Sequence, residues 1–225
     1  MQQAERMTRA VDGAITQLQR LLGPEHVITD PHELAFYSHD VYRAGLLPAA
    51  LIRPGSTDEL AAALAAIAPT RVPIVPRGGG MSYTDGYLPA QPDSIMVDML
   101  RMNRVETIDA EDLYVTVECG ATWKQLFDAL EPHGVRTPYW GPLSGLRSSI
   151  GGALSQGSIF LGSGRYGPAA ESVTGLDVVL ADGRVLNLGS HSIKNGEPFM
   201  RQHGPRSEEH TSELQSQFRI SYAVF

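Results

Sequence analysis

Apolar residues recur at helical spacing near the start of the chain. Val11, Ile15, Leu18 and Leu22 share one face, and Gly23-Pro24 stops the run. Asp30-Pro31-His32-Glu33 has an acidic cap, a proline at the first helical position and a glutamate three residues after the cap, so a short helix should run toward Tyr37. Residues 50–53, apolar up to Arg53, predict a brief strand closed by Pro54. Ser56-Thr57-Asp58-Glu59 is a second capping box, opening a helix that buries Leu60, Leu64 and Ile67 and ends at Pro69. With the strand at 73–75 this makes a βαβ unit whose two strands run parallel. Beyond it the pattern shortens. Residues 95–98 predict a strand, and 105–109 and 114–118 follow at hairpin spacing. Thr122 caps a helix with Trp123, Leu126, Phe127 and Leu130 on its apolar side, and strands at 176–180 and 185–188 flank an Asp182-Gly183 turn. The fold class predicted is α+β, a parallel βαβ half followed by a mainly antiparallel half with helices.

Two glycine-rich segments interrupt these elements. The first is Arg77-Gly78-Gly79-Gly80-Met81-Ser82, entered from the uncharged run 72–76. Successive glycines let amide N–H groups line one concavity, which can hold a phosphate without a lysine cluster. The other reading is a strand followed by a flexible turn. A loop at the carboxyl end of a parallel strand is where ligands of open α/β sheets bind. Arg77 can pair with a phosphate or with an internal carboxylate. The second segment spans 141–158, with Pro142, Gly145, Ser148, Ser149, Ile150, Gly151, Gly152, Ser155, Gly157 and Ser158 as its candidate ligand contacts. Its serines can donate to phosphate oxygens, and Gly151-Gly152 suits a flat ring pressed on main chain. Together the segments suit an extended ligand with a central diphosphate and an aromatic ring at one end.

Composition narrows the partners. The 225 residues carry a net charge of −7, so a bound anion has to be held by local donors, and nucleic acid is not expected as a partner. A single cysteine, Cys119, excludes an internal disulfide and a Cys-rich zinc site. No apolar run reaches membrane-spanning length and the first residues lack a signal-peptide core, which makes cytoplasmic the expected location and a transmembrane segment unexpected. Residues 162–167 match G-x-G-x-x-G, but Pro168 follows at once and leaves no room for the helix a dinucleotide site needs. The histidines are dispersed, so no metal site is expected. Residues 206–216 read, codon for codon, as translated sequencing-library adapter, and 220–225 match the far end of the same adapter. The tail 206–225 is therefore set aside as non-native.

The ordered set Leu51-Ile52-Arg53-Pro54-Gly55-Ser56-Thr57-Asp58-Glu59-Leu60, the 76–82 loop, Val117-Glu118-Cys119-Gly120-Ala121-Thr122-Trp123, Ser149-Ile150-Gly151-Gly152 and residues 173–183 resembles the PCMH-type (vanillyl-alcohol-oxidase) FAD-binding domain, in its D-lactate and glycolate dehydrogenase branch. The resemblance spans about 37–188. It implies a lead-in over 1–46 and an FAD-binding domain over 47–205 that stops short of the family's substrate domain. It also implies that Gly78, Gly79, Gly80, Met81 and Ser82 cradle the diphosphate, that 149–152 and 155–158 line phosphates and flavin, and that Val173 lies near the adenine. Met81 stands where many relatives carry a flavin-linked histidine, so FAD is expected to bind non-covalently. Cys119 is expected to be small packing. The activity implied is hydride transfer from an alcohol or 2-hydroxy acid to flavin, with a small-molecule substrate, an unnamed electron acceptor, and catalytic residues supplied beyond this chain. The alternatives are an FAD-carrying electron-transfer module and an inactive fragment.

Overall fold

The computed structural model describes residues 2–139, 144–190 and 217–223, with side chains over 9–139 and 144–190. The chain forms two compact units, Met1–Arg101 with Val179–Arg184 and Met102–Val178 with Val185–Phe225.

The first unit is built on a four-stranded sheet. Its strands are β1 (Val27–Ile28), β2 (Ala50–Ile52), β3 (Ile74–Arg77) and β4 (Ile95–Asp98), in the order β1-β2-β4-β3. β2 and β3 are parallel, as the βαβ reading requires, but they are not neighbours. β4 lies between them and is parallel to both. The reason is visible in β4 itself. All four of its residues are buried, as expected of an interior strand covered on both faces, whereas β3 at the sheet edge leaves three of its four residues only half-buried. Residues 95–98 therefore belong to the parallel half.

Register aligns Ile28, Leu51, Met96 and Val75 across the sheet, and these residues form one cluster with Leu34 and Tyr37 of α2 (Pro31–Tyr37). Helices α1 (Gln2–Leu22) and α3 (Thr57–Ile67) pack on each other and bury Val11, Ala14, Leu18, Leu22, Leu60, Ala63, Leu64 and Ile67. The caps form as the sequence dictates. Asp30 accepts from the amides of His32 and Glu33 at 2.8 and 3.1 Å, and Ser56 accepts from Glu59 at 3.1 Å. The lead-in over 1–46 thus lies in the same compact unit as β2–β4.

In the second unit, β5 (Val105–Asp109) and β6 (Tyr114–Glu118) form the expected hairpin, and β7 (Val173–Val179) is followed by β8 (Val185–Gly189) across the Asp182-Gly183 turn. The sheet order is β5-β6-β9-β7-β8, where β9 (Gln217–Ala223) runs antiparallel to β6 and β7. β9 falls within the tail set aside above. Its place is defined by main-chain ladder bonds, which many side-chain sequences can make. Residues 191–216, including the expected boundary at 205, lie outside the described residues.

Helix α4 (Trp123–Leu130) opens on a full capping box, Thr122 with Gln125, and buries Trp123, Leu126 and Leu130. Phe127, expected on the same stripe, is 42% exposed, so the buried face is narrower than the sequence pattern. The G-x-G-x-x-G stretch folds only into the single turn α6 (Ser163–Tyr166), too short to present a dinucleotide-binding helix.

Candidate functional site

Three neighbouring parallel strands of the first unit end in charge. Arg53 follows β2, Arg77 ends β3 and Asp98 ends β4, with Arg77 and Asp98 in register. The carboxyl edge of this sheet is where Gly78 begins. Gly80 has φ +69°, a conformation that costs an L side chain about 1 kcal/mol or more. Among the described residues, the amides of Gly78, Gly79, Gly80 and Met81 donate to no protein acceptor. Successive unspent amide donors are the kind of group that can hold an anion. The loop's downstream end is fastened from the lead-in. Val41 N–H donates to the Ser82 carbonyl at 3.1 Å, Asp85 N–H to Asp40 at 3.0 Å, and Tyr87 O–H to the His39 carbonyl at 2.6 Å. Arg43 pairs with Asp85.

Arg77 is 4% exposed and lies behind the loop. Its Nη1 donates to the Gly78 carbonyl at 3.2 Å and is 3.9 Å from Asp98 Oδ2. The guanidinium carbon lies 5.0 Å from the Tyr37 ring centroid and 5.2 Å from that of Tyr87. Arg53 stands 3.9 Å from the same Asp98 oxygen and also donates to the Tyr37 hydroxyl. Burial raises the Asp98 carboxyl above its ordinary value, and the Leu100 amide, Arg77 and Arg53 oppose that rise. Arg77 therefore contacts an internal carboxylate, which the sequence left open. Tyr37, Arg53, Tyr87 and Asp98 were not among the expected site residues. The signal was present in three apolar runs each closed by a charged residue.

The other expected contacts lie in the second unit. Ser149 caps the six-residue helix α5 (Ile150–Ser155), its Oγ accepting from Gly152 N–H at 3.2 Å. The amides of Ile150 and Gly151 donate to the Ala121 and Cys119 carbonyls, both at 2.8 Å, and that of Ala153 to the Ser149 carbonyl at 3.0 Å. The first turn of α5 is thus spent on its own protein, unlike the triple-glycine loop. A Cβ on Gly151 would lie 2.6 Å from Cys119 Cβ, so the missing side chain there serves packing against β6's end. What the segment keeps for a ligand is different. Ser148 Oγ is shielded from solvent and has no hydrogen-bond partner among the described residues. Gly152, Ser155 and Ser158 are half-buried, and Gly157 is exposed with φ +58°. Ser155 Oγ donates to the Gly151 carbonyl at 2.8 Å, while the Gly145 carbonyl accepts from Lys124 N–H at 3.0 Å. Val173 opens β7 and is half-buried. Pro142 lies outside the described residues.

Cys119 is buried, and burial, with the Glu118 charge second, pushes its thiol from 9.0 up to about 12. A folded-state value above the unfolded one contributes stability that is whole below pH 9 and lost as pH rises toward 12. Urea midpoints should therefore fall over that interval in the wild type and less so in Cys119→Ser. A thiol this shielded should also resist a disulfide reagent at pH 8 until urea is added, and rapid native-state labelling would contradict the burial.

The sequence profile of the FAD binding domain family matches residues 48–189. The chain belongs to this FAD-binding family. It is 34% identical over 182 residues to the glycolate oxidase subunit GlcD of Bacillus subtilis, covering 80% of this chain and 38% of that protein. It is 33% identical over 187 residues to the mitochondrial D-lactate dehydrogenase [cytochrome] of Arabidopsis thaliana, covering 80% and 32%. The FAD-binding chain thus spans well under half the length of these relatives. Among solved structures, p-cresol methylhydroxylase shares the fold at a TM-score of 0.81 and 18% identity, covering 96% of this chain and 43% of that one. Alkyldihydroxyacetonephosphate synthase follows at 0.80 and 19%, covering 94% and 40%. The expected PCMH-type fold and the FAD cofactor both stand.

Proposed function

We propose that this chain is the FAD-carrying portion of an oxidoreductase that oxidises a 2-hydroxy acid. The observation that carries the reading is the run of four unspent amides at 78–81, backed by a buried guanidinium. These residues fit the group. The loop has amide donors without protein acceptors and no side chains from Gly78 to Gly80, and a doubly charged diphosphate supplies the acceptors an acidic chain could not attract by its overall field. Gly78, Gly79, Gly80, Met81 and Ser82 would hold the diphosphate, with Arg77 behind them. In the second unit, taken by itself, Ser148, Gly152, Ser155, Gly157 and Ser158 are the proposed FAD contacts, and Ser149, Ile150 and Gly151 would act by shaping α5 rather than by donating amides. FAD, when bound, supplies the two-electron redox chemistry, and the protein supplies position and electrostatics.

The substrate class rests on the relatives' names. Glycolate, D-lactate and D-2-hydroxyglutarate, the last from the dehydrogenase of Xanthomonas citri, share a 2-hydroxy carboxylate. We further propose non-covalent attachment, since Met81 offers no nucleophile at the position where a flavin link would form. Among the described residues no helix is long and apolar enough to cross a membrane. A cytoplasmic setting and a small-molecule substrate are proposed on the sequence grounds above, and cell fractionation tests the former. We also propose that 206–225 is translated adapter; an uninterrupted genomic reading frame through Arg206 would refute this.

Titration of the full chain with FAD, followed by quenching of flavin fluorescence, is the direct test. Stoichiometric binding, with the flavin released to the supernatant by acid precipitation, is expected. No binding would remove the functional reading, and flavin retained in the acid pellet would remove only the non-covalent part.

A further inference from the structure

A trans peptide points its C=O and N–H in opposite directions, so whatever holds the carbonyl of Gly78 also aims the N–H of Gly79. In this chain the holder is Arg77, whose Nη1 donates to that carbonyl at 3.2 Å from the sheet side of the loop. Its Nη2 fills the space a Cβ on Gly80 would take. One guanidinium thus meets the loop at both Gly78 and Gly80.

The guanidinium is itself fixed. It is 4% exposed, lies over the rings of Tyr37 and Tyr87, and is 3.9 Å from Asp98, which Arg53 also approaches at 3.9 Å. Tyr37 comes from α2, ahead of the matched domain, so the lead-in takes part in this arrangement. Nε of Arg77 has no hydrogen-bond partner among the described residues. A buried donor left unspent costs stability and is retained where the group has another task. Two arginines facing one aspartate also leave net positive charge on the Gly78 carbonyl's side of that peptide, opposite the direction of the Gly79 N–H.

From these contacts we propose that Arg77 is the positioning residue of the diphosphate loop, aiming the Gly79 amide through the Gly78 carbonyl while Tyr37, Tyr87 and Asp98 hold it in place. The proposal rests on the reading of 78–82 as the diphosphate cradle. It assigns Arg77 a role behind the loop in place of direct contact with phosphate. A lysine keeps the charge but has a single nitrogen and no planar fork, so it cannot serve the Gly78 carbonyl, the space under Gly80 and both rings at once.

The test uses the full chain, its Arg77→Met and Arg77→Lys variants, and FAD. Loss of one charge-assisted amide contact should weaken binding about 10-fold or more in Arg77→Met, and Arg77→Lys should recover little of it. At saturating FAD, phosphorus NMR should show the diphosphate resonances of Arg77→Lys displaced while the visible flavin band keeps its wild-type position. A purely structural role would move both signals or neither, and either result overturns the proposal. Wild-type affinity in Arg77→Lys overturns it as well, and this variant decides the matter if Arg77→Met does not fold. Failure of the wild-type chain to bind FAD is a separate outcome, which overturns the functional reading and this proposal with it.

Discussion

Gly151→Ala should destabilise the protein, although it places a better helix former inside a helix. In an unhindered helix the exchange stabilises by about 1 kcal/mol. Here the new Cβ would lie 2.6 Å from Cys119 Cβ, 2.9 Å from the Cys119 carbonyl and 3.2 Å from Cys119 Cα. Two of those atoms are backbone, and that backbone is tied. Gly120 N–H donates to the Met102 carbonyl at 2.8 Å, and Gly151 N–H to the Cys119 carbonyl at 2.8 Å. Relief requires α5 to back away from the end of β6, which loses a buried hydrogen bond worth about 1 kcal/mol on top of overpacking costs of about 1–3 kcal/mol. The net expectation is a loss of roughly 1–3 kcal/mol, read as a lower urea midpoint at unchanged slope. Cys119→Gly in the same chain should recover part of it, since the Cβ contact goes and the carbonyl contact stays. A Gly151→Ala variant as stable as the wild type would show that α5 is not seated as described.

Gly80→Ala should cost FAD affinity more than any other single methyl addition. Two effects coincide at this position. The backbone sits at φ +69°, where alanine is strained by about 1 kcal/mol, and the added methyl falls on Nη2 of Arg77. Arg77 cannot swing aside into solvent, because it is buried against Tyr37 and Tyr87. The loop must therefore change conformation, which misaligns its amides. Each amide–phosphate contact is worth about 1.5–3 kcal/mol, so losing one weakens FAD by roughly 10- to 150-fold and losing two by more. Fluorescence titration reads this directly. Because strain and clash both fall on a loop rather than between a helix and a tied strand end, the urea midpoint should move less than in Gly151→Ala. Unchanged affinity in Gly80→Ala would argue that the diphosphate is held elsewhere.

The two glycine segments look alike as sequence and differ in what they offer a ligand. Spacing marks both 78–80 and 151–152 as backbone without side chains. Whether an amide is free depends on what lies across from it, and that partner is distant in the chain. Ala121 and Cys119 absorb the amides of α5, while nothing among the described residues absorbs those of Gly78, Gly79, Gly80 and Met81. Arg77 shows the same limit. One residue can be recognised as a candidate, but the choice between phosphate and carboxylate required Asp98, which stands on another strand.

The order of apolar and polar residues by itself determined helices α1 to α4, the caps of α2, α3 and α4, both hairpins and the position of the triple glycine after a strand, because these depend on neighbours within about four residues along the chain. The family resemblance and the FAD cofactor were legible for the same reason, being carried by short motifs in fixed order. Tertiary structure alone decided that β4 lies between β2 and β3, that Phe127 stays outside the core, and that Tyr37, Arg53 and Asp98 gather around Arg77. The first and third depend on which strand occupies the doubly covered slot, and burial on two faces is a property of the assembled sheet that no single segment encodes; the second depends on what packs against α4, which the helix's own sequence does not state.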